Sequence, residues 1–513
     1  MRVGATIANL AWLASSVGAS RRFQRALAAP EETQWAWLHA QLARHAASEY
    51  GRAHEFSAVR RYADFVARVP LCRYADVEPY ITRMQGGEEG LLGSDPVTHL
   101  APTSGSVGAR KLIPFTSALS RGFDAAVAPW MINLAQQRPR IVGGPGYWSV
   151  SPMASDSESP SAIPIGFADD AEYLGGAKAW LVRQVMAVPA SVRHARDEET
   201  FWNTTALALL RCVELRLISV WHPSFFELLL AHAETHWEAL LSGIERDDWS
   251  RAQQLRAIGA REWWRWWPAL QVLSCWGEQA AESGWRRLCA QAPQLLVQPK
   301  GLLATEGVVT VPYGEWHVLA ITSHFFEFLD PETGDVRRAH ELTVGAQYEV
   351  VLTNGAGLWR YRLGDLVECT GHLAATPTLR FLGRAEQVSD LRGEKLSEPF
   401  VAECLRSLWE GEMPPRVAIL RAVDDDVVGR YDLVVSTDTA HTGALLTRID
   451  DALRANPHYA RARRLGQLAP PRLVLVDAEY AQRSMLVEAH GRSARLGDVK
   501  PRVLEGAFAR KQL

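Results

Sequence analysis

Helical periodicity dominates the first half of the chain. Apolar residues recur three and four positions apart through the first hundred residues, over 117–136 and over 199–241, where a proline breaks the pattern once. Residues 244–267 continue as a predicted charged helix that ends in a cluster of tryptophans. Between these segments, residues 141–178 are rich in Gly, Ser, Pro and Asp, which predicts strands joined by long loops.

Short apolar runs bounded by turn residues replace this pattern after residue 268 and predict strands. The predicted strands cover 270–275, 295–298, 308–311, 317–321, 325–329, 348–352, 358–362 and 366–369. A separate α+β pattern follows, with strands at 417–423, 432–436 and 472–476 and a helix at 440–455. We therefore expect the α/β class: a large mixed α/β domain over 1–383, a hinge over 384–395, and a smaller mobile α+β domain over 396–513.

The amino terminus has two interpretations. Residues 3–20 carry no charge and follow Arg2, as in a signal peptide. Asn9 interrupts the run, however, and the run is shorter than the ~20 apolar residues of a spanning helix. We favour an amphipathic helix that packs on the body of the protein. Its predicted apolar stripe consists of Ile7, Leu10, Ala11, Ala14 and Val17.

Composition excludes several classes of protein. The chain has 47% hydrophobic and 22% charged residues, so it can bury a large core, and its net charge of −3 argues against nucleic acid or anionic membrane as a partner. The six cysteines are far apart and form no C-x-x-C pair, which indicates reduced thiols and a cytoplasmic protein. The tryptophans at 263–267 lack a basic stripe, so we expect them to pack helices rather than to stack on bases.

The stretch 103–111 carries the clearest chemical signal. Hydroxyl residues alternate with glycines and are followed by two cations. Glycines let the backbone point N–H groups at an anion, hydroxyls add donors, and a lysine offsets phosphate charge. The pattern predicts a phosphate-holding loop, with an ordinary polar turn as the alternative; G-x-x-x-x-G-K-[ST] does not occur. The residues of interest are Thr103, Ser104, Gly105, Ser106 and Lys111.

Three further motifs follow in a fixed order. They are Leu-Ala-Thr-Glu-Gly at 303–307, Tyr-Arg-Leu-Gly-Asp-Leu at 361–366, and Phe-Leu-Gly-Arg at 381–384 running on to Arg-Gly-Glu-Lys at 392–395. This order resembles the adenylate-forming enzymes. The Ser-Gly loop that ends in Arg-Lys-Leu-Ile-Pro, together with Trp-His-Pro-Ser-Phe from residue 221, resembles more specifically the auxin-responsive Gretchen Hagen family of acyl acid amido synthetases, in its bacterial branch. Plant relatives carry Tyr-Ser-Ser-Glu where this chain has Leu-Ala-Thr-Glu.

The resemblance implies roles for particular residues. Catalytic roles fall to Lys500, Glu306 and Lys111, with Glu306 as the Mg²⁺ ligand. ATP binding falls to Thr103, Ser104, Gly105, Ser106, Trp276, Gly277, Thr305, Asp365 and Arg384. An aromatic acyl pocket would use Phe123, Trp130, Tyr147 and Phe225. Each has an ordinary structural alternative: Asp365 follows Gly364 at a predicted turn between two strands, where aspartate is common, and the aromatic residues could belong to the core.

The implied activity is ATP- and Mg²⁺-dependent adenylation of a small carboxylic acid, followed by transfer of the acyl group to an amine, expected to be that of an amino acid. Three alternatives stay open at this point. One is a ligase that passes the acyl group to a thiol such as coenzyme A. The second is a non-catalytic protein of the same fold that binds a nucleotide or a small acid, and the third is a scaffold. Neither nucleic acid nor a membrane span is expected.

Overall fold

The computed structural model describes residues 3–103, 111–149, 161–165, 184–189, 191–192, 195, 197–385, 388–424, 428–436, 444–477, 480 and 502–506. Helices in these ranges are α1 (Val3–Ala26), α2 (Pro30–His45), α3 (Glu49–Ala53), α4 (Tyr62–Arg68), α5 (Tyr74–Gln85), α6 (Ser117–Gln137), α7 (Glu198–Arg211), α8 (Pro223–Thr235), α9 (Trp237–Glu245), α10 (Trp249–Ile258), α11 (Glu282–Gln291), α12 (Glu398–Leu408), α13 (Leu445–Leu453) and α14 (Pro457–Arg464).

The strands in the same ranges are β1 (Val97–Pro102), β2 (Leu112–Thr116), β3 (Gly146–Trp148), β4 (Leu217–Ser219), β5 (Val272–Trp276), β6 (Leu296–Lys300), β7 (Leu303–Ala304), β8 (Gly307–Val308), β9 (Thr310–Tyr313), β10 (Trp316–Leu319), β11 (Phe325–Leu329), β12 (Val336–Arg338), β13 (Gln347–Thr353), β14 (Tyr361–Leu373), β15 (Thr376–Arg384), β16 (Val388–Ser389), β17 (Leu396–Ser397), β18 (Ala418–Val423), β19 (Arg430–Ser436), β20 (Arg472–Val476) and β21 (Leu504–Glu505).

Two sheets build the first part of the chain. Strands β3, β4, β5 and β6 are parallel and adjacent in that order. The second sheet is antiparallel, in the order β12-β11-β13-β14-β15-β10-β9 among the described strands. Burial follows the expected alternation at the start of β14, where each second residue faces the core. The combination is a mixed α/β architecture, as the sequence predicts.

The tryptophan cluster packs in the core of the parallel sheet, as expected. Trp263, Trp266 and Trp267 are buried, and the Trp237 and Trp266 rings stack with their centres 5.1 Å apart. Trp267 donates its indole N–H to the Leu209 carbonyl (2.7 Å). Gly259 ends α10 with φ +92°, so the helix predicted over 244–267 is in fact divided among α9, α10 and a short 3₁₀ turn.

The third region has its own core. Strands β20, β19, β18 and β21 form a mixed sheet, and a separate cluster of buried residues begins at Leu396 and includes Leu405, Leu433 and Ile449. Helices α12 and α13 cover this sheet, with their apolar faces in the same cluster. Within the described ranges, no helix combines the length and the apolar character needed to cross a bilayer.

The buried face of α1 differs from the predicted one. Ile7 and Leu10 are 61% and 52% exposed, and Ala11 and Ala14 are exposed as well. The face that packs against α6 instead carries Ala5, Ala8, Trp12, Ser16 and Phe23. Ala5 and Ala8 form a small buried cluster with Val185, while Trp12 and Phe23 join the large core, so contacts with distant segments decide which face is buried. On the same helix the Asn9 amide donates to the carbonyls of Val142 and Gly144 (3.0 and 2.9 Å).

One strand and one turn also differ from the prediction. Strand β4 lies within 199–241, where helical periodicity hides a three-residue buried run. Asp365 lies inside the continuous strand β14 rather than at a turn between two strands. Gly364 has φ +75°, and the register with β13 shifts opposite it, so the sequence signal for a turn is a bulge within one strand.

A buried ion pair anchors the start of β14. The Arg360 guanidinium contacts the Glu327 carboxylate at 2.9 Å, with side-chain exposures of 4% and 1%. Glu327 also accepts a hydrogen bond from the Tyr62 hydroxyl (2.6 Å), and Arg360 donates to the Val69 carbonyl (2.9 Å). The pair therefore ties β11 and the amino-terminal helices to the strand that carries Asp365.

We expect the substitution Glu327→Gln to lower the free energy of unfolding by about 3–5 kcal/mol, because it leaves the Arg360 charge buried without its counter-ion. Urea unfolding followed by far-UV circular dichroism measures the loss. The matched control is Asp335→Asn, which removes the carboxylate of the exposed pair with Arg337 and should change stability by less than about 0.5 kcal/mol. Equal effects of the two substitutions would contradict the assigned role of the buried pair.

Candidate active site

The predicted phosphate-holding loop lies between β1 and β2, the two strands of a hairpin. Strands β1 and β2 pair up to Pro102 and Leu112, and the Thr103 N–H donates to the Lys111 carbonyl (2.9 Å), which closes the base of the loop. Ser104, Gly105 and Ser106 lie outside the described residues, and so does Lys500. The structure therefore places the two ends of the predicted loop.

Tyr74, on α5, supports the base of this loop. The Leu112 N–H donates to the Tyr74 hydroxyl (2.9 Å), and the Lys111 ammonium lies 5.7 Å from the centre of the same ring. A cation over an aromatic face is attracted to it. The ring thus holds Lys111 beside the hairpin end, and this support is a contact that the sequence analysis missed.

Glu306 lies in the tight turn between β7 and β8, two residues after Ala304, the last residue of β7. Thr305 precedes it in the same turn. The Asn354 amide donates to the Glu306 carbonyl (2.8 Å), while the Asn354 side-chain oxygen accepts from the N–H groups of Ala356 and Leu358. Asn354 is fully buried, so this one side chain joins the Glu306 turn to the loop before β14.

The His324 side chain packs against the same turn at Gly307 and Val308. It is fully buried, and burial lowers the pKa of His324 to about 3, so its ring is neutral near pH 7. A neutral ring has one acceptor nitrogen, and His324 Nε2 accepts from the Val308 N–H (3.3 Å). A Cβ on Gly307 would lie 2.6 Å from that nitrogen, so only glycine permits this approach.

Asp365 and Arg384 face each other across neighbouring strands. The β14–β15 register pairs the two residues directly, and Arg384 Nε lies 3.1 Å from Asp365 Oδ1. The Asp365 side chain is 3% exposed, whereas that of Arg384 is 38% exposed. The carboxylate is thus buried, while the guanidinium reaches toward solvent at the last residue of β15.

The charges of these groups act on one another. Burial raises the pKa of Glu306 above its ordinary range, the positive charges of Arg384 and Lys111 act to lower it, and the negative charge of Asp365 acts to raise it. The charge of Asp365 raises the pKa of Arg384, and burial raises the pKa of Tyr361, with the Glu306 charge adding to that rise. The structure therefore brings Glu306, Asp365, Arg384 and Lys111 together around Tyr361, although they come from separate motifs.

Trp276 is the last residue of β5, and Gly277 directly follows it. The Trp276 N–H donates to the Trp221 carbonyl (2.8 Å), and its ring centre lies 5.4 Å from that of Phe381 on β15. A Cβ on Gly277 would lie 2.8 Å from Pro299 Cβ, so the turn packs tightly against β6. This turn therefore lies beside the strand that ends at Arg384, and the role of Trp276 at adenine stays a prediction.

The four aromatic residues proposed for the acyl pocket are all buried. Phe123 and Trp130 belong to the core around the antiparallel sheet, and Tyr147 and Phe225 belong to the core around the parallel sheet. The Trp130 indole N–H donates to the Gln298 side-chain oxygen (2.8 Å). Each is packed in the described structure, and the acyl-binding role of all four stays a prediction.

Lys300 is a further residue that the sequence analysis missed. It ends β6 at the carboxyl edge of the parallel sheet, is 6% exposed, and its ammonium lies 4.8 Å from the Trp221 ring centre. Ligands bind at this edge of parallel sheets. The sequence signal that could have identified Lys300 is its position at the end of an apolar run, directly before a glycine. No group of three or more His, Cys, Asp or Glu side chains in the described part of the chain is arranged to hold a metal ion.

We expect Gly307→Ala to destabilise the protein by about 1–3 kcal/mol, because the added methyl group would overlap His324 Nε2 and force the Glu306 turn to move. Urea unfolding tests this. Gly18→Ala is the control, since a Cβ there meets its nearest atom at 3.7 Å and alanine favours the α1 helix. Unchanged stability of Gly307→Ala would show that the turn is looser than the structure indicates.

Comparison with solved structures supports the fold. The chain superposes on the structure named GH3.15 acyl acid amido synthetase with a TM-score of 0.81 at 18% identity, covering 95% of this chain and 94% of that chain. At this level of identity the likeness shows the fold, and it confirms the predicted α/β class.

Sequence relatives agree with this likeness. The rice (Oryza sativa subsp. japonica) protein named probable indole-3-acetic acid-amido synthetase GH3.12 is 23% identical over 445 residues, which cover 73% of this chain and 72% of the rice protein. A second rice protein, named jasmonoyl–L-amino acid synthetase GH3.5, is 25% identical over 394 residues, with coverages of 64% and 66%.

The family follows from two further matches. Residues 19–294, more than half of the chain, match the GH3 family N-terminal domain, and residues 317–384 match the GH3 family central domain. The second match ends at Arg384, the last residue of β15. These matches confirm the Gretchen Hagen family that the order of motifs predicted, and the chain belongs to the GH3 family.

Proposed function

We propose that this protein is an acyl acid amido synthetase, which activates a small carboxylic acid with ATP and transfers the acyl group to the amine of an amino acid. One observation carries the proposal. In a chain of the GH3 family, Glu306, Asp365, Arg384 and Lys111 come from four separate segments and meet at the base of a Ser/Gly-rich loop. A site made of cations, carboxylates and loop N–H groups suits phosphate chemistry, in which positioning and charge neutralisation do most of the catalysis.

The described residues can hold the nucleotide at three points. Lys111, fixed beside Tyr74 at the loop base, offers a point charge to the phosphates. Arg384 directs its partly exposed guanidinium to the same region. The Asp365 carboxylate has about four acceptor positions, so its ion pair with Arg384 leaves acceptors for the ribose hydroxyls. Trp276 would then lie against the adenine.

Mg²⁺ fits the donor set around Glu306. Mg²⁺ in nucleotide sites is held by one or two carboxylates together with substrate phosphates and water, not by a cage of protein ligands. The Glu306 carboxylate has no ion-pair partner among the described residues, and the cations nearby act to keep it ionised despite its burial. Held by Glu306, Mg²⁺ would offset the negative charge of the phosphates.

The reaction has two steps. The substrate carboxylate oxygen attacks the α-phosphorus of ATP, so that the new acyl–oxygen–phosphorus bond forms as pyrophosphate leaves. The amine then attacks the acyl carbon, the amide bond forms, a proton leaves the nitrogen and AMP departs. Neither step requires a side-chain nucleophile. Lys500, which lies outside the described residues, is proposed to stabilise the charge that develops in the first step.

We propose the domain limits 1–383 and 396–513, with 384–395 as the hinge. The separate hydrophobic core that begins at Leu396 supports this division. Within the hinge, the Glu394 carboxylate accepts from the N–H groups of Leu391 and Arg392 and from the Tyr431 hydroxyl on β19. The end of the hinge is thus attached to the small domain, whereas Arg384 at its start belongs to the sheet of the large one.

We also propose two finer assignments. We assign the chain to the bacterial branch of the family on the Ser-Gly loop that ends in Arg-Lys-Leu-Ile-Pro and the Trp-His-Pro-Ser-Phe segment from residue 221. The protein works in the cytoplasm, an assignment supported by its six cysteines, which carry free thiols in the structure.

Acid-dependent ATP–pyrophosphate exchange tests the function directly. With Mg²⁺ present, we expect exchange with one class among aryl, indolyl and fatty acids, and we expect Glu306→Gln and Lys500→Ala to lower it by about 100-fold or more. Removal of Mg²⁺ with EDTA should abolish exchange. Exchange by neither wild type nor variants, despite measurable ATP binding, would favour a non-catalytic binding protein.

A second assay identifies the molecule that accepts the acyl group. The acid that supports exchange is incubated with ATP and either an amino acid mixture or coenzyme A, and the products are read by mass spectrometry. An amide product supports the amido synthetase. A thioester formed with coenzyme A, without an amide, would assign the alternative acid–thiol ligase.

Arg384→Gln should move the acid limb of the residual exchange activity to higher pH by about one unit. The Arg384 charge acts to lower the pKa of Glu306, so its removal raises that pKa, and the ionised carboxylate forms only at higher pH. The control is Arg380→Gln, which breaks the equivalent cross-strand pair with Glu368 at an exposed position of the same two strands. Parallel pH profiles for the two variants would contradict the coupling.

A further inference from the structure

His317, on β10, has an acceptor at each ring nitrogen. Its Nδ1 lies 3.2 Å from Glu278 Oε1, and its Nε2 lies 3.3 Å from the Pro299 carbonyl oxygen. A carbonyl oxygen and an ionised carboxylate can only accept hydrogen bonds. Both ring nitrogens therefore face an acceptor, a geometry that stabilises the imidazolium form of His317 between β6 and the turn after β5. Its side chain and that of Glu278 are each 14% exposed.

Glu278 extends this contact to β15. It directly follows Trp276 and Gly277, and its second oxygen accepts from the Phe381 N–H (3.4 Å). The next residue, Gln279, has φ +53° and donates its side-chain amide to the Phe381 carbonyl (3.3 Å). Both backbone groups of Phe381 are thus held by the turn that follows Trp276.

Phe381 connects this turn to the charged site. It precedes Arg384 by three residues on the same strand, and its ring lies against that of Trp276. The chain from His317 through Glu278 and Phe381 therefore spans from the turn with Trp276 to the strand end with Arg384. Movement of either part relative to the other would break these contacts.

We propose that Glu278 and His317 are positioning residues for the nucleotide, which clamp the Trp276–Gly277 turn to strand β15 and so fix the distance between the adenine platform and Arg384. This inference rests on the proposed function, since it assumes that these two parts hold ATP. Neither side chain needs to touch the nucleotide. They act through the turn and the strand that do.

The electrostatic surroundings agree with this geometry. Burial acts to lower the pKa of His317, but the hydrogen bond and charge of Glu278, with the Pro299 carbonyl, raise it above its ordinary value overall. Glu278 is the ionisable group in the described chain whose charge acts on this ring. The neighbouring strands present Pro312, Thr378 and Pro299, which do not titrate. The contacts of the imidazolium are present just below the raised pKa of His317 and weaken as the pH rises through that pKa.

The first test is His317→Gln in the pyrophosphate-exchange assay. We expect the KM for ATP to rise about tenfold with little change in kcat, because a prepositioned site is lost while the reacting groups stay intact. In the wild type the KM for ATP should rise on the alkaline side of the His317 pKa, whereas in the variant it should not depend on pH there. An unchanged KM and pH profile would overturn the proposal.

Glu278→Gln is the conservative partner variant. Its amide could donate to Nδ1 of a neutral His317, whose Nε2 would still donate to Pro299, while the amide oxygen accepts from Phe381. We therefore expect the KM for ATP to stay within about threefold of the wild type while its alkaline rise disappears. Loss of ATP affinity in Glu278→Gln as large as in His317→Gln would overturn the assigned protonation.

A direct measurement separates this inference from the proposed function. Nitrogen-15 NMR of the full-length wild-type chain should show His317 protonated at both nitrogens at pH 7, with its signals assigned by their absence in His317→Gln. A neutral ring at pH 7 would overturn the clamp even if ATP–pyrophosphate exchange is present. Absence of exchange with any acid, together with a protonated ring, would overturn the proposed function and with it the nucleotide role of the clamp.

Discussion

The guanidinium of Arg384 offsets the charge of two buried carboxylates, and the candidate site depends on this interaction. Arg384 pairs with Asp365, and its charge also acts on Glu306, which is itself buried. Two acids so close together in a dehydrated region could not both stay ionised without a cation. The strand register places Arg384 opposite Asp365, and the bulge at Gly364 adjusts the strand there. The pairing of β14 with β15 therefore determines which cation offsets the charge of Asp365.

The groups beneath the site are polar and buried, and most of their hydrogen-bonding atoms have partners. Asn354 uses both its donor and its acceptor on the Glu306 turn and the loop before β14, and neutral His324 accepts the N–H of Val308. Arg360 and Glu327 form a buried pair next to Tyr361. Buried polar groups of this kind are costly if one partner is lost, and they hold the backbone in one geometry. They explain how a two-residue turn can carry Glu306 at a fixed position.

Much of the antiparallel sheet could be predicted from sequence, because its strands are short apolar runs separated by turn residues. The segment 325–329 matches β11 to the residue, and in the mixed sheet of the third region 472–476 matches β20 in the same way. Strand β4 could not be found, since three buried residues within a helical pattern leave no separate period. The buried face of α1 was predicted wrongly because contacts with distant segments, such as that of Ala5 and Ala8 with Val185, decide it, and no local periodicity records them.

Some residues of the candidate site could likewise be predicted from the sequence, and others could not. Glu306, Asp365, Arg384 and Lys111 belong to motifs with a fixed order, so their proximity could be expected from the resemblance to a family. Tyr74, Asn354, His324, Glu278 and His317 support them through contacts between distant parts of the chain. Each of these five is an ordinary residue in its own segment. Only the three-dimensional pairing of segments shows what it touches.

The charges of the described site have a consequence for how the nucleotide is neutralised. Lys111 and Arg384 supply two positive charges, and Glu306 and Asp365 supply two negative ones, so these four groups cancel one another. Under the proposed function, the negative charge of the triphosphate must then be met by groups outside this set: the N–H groups and Arg110 of the loop, Mg²⁺ at Glu306, and Lys500 of the small domain. A site that is neutral without the loop and the small domain has little electrostatic reason to retain a polyphosphate. Under the proposed function, both the binding of ATP and the first step would therefore draw on positive charge from outside these four groups.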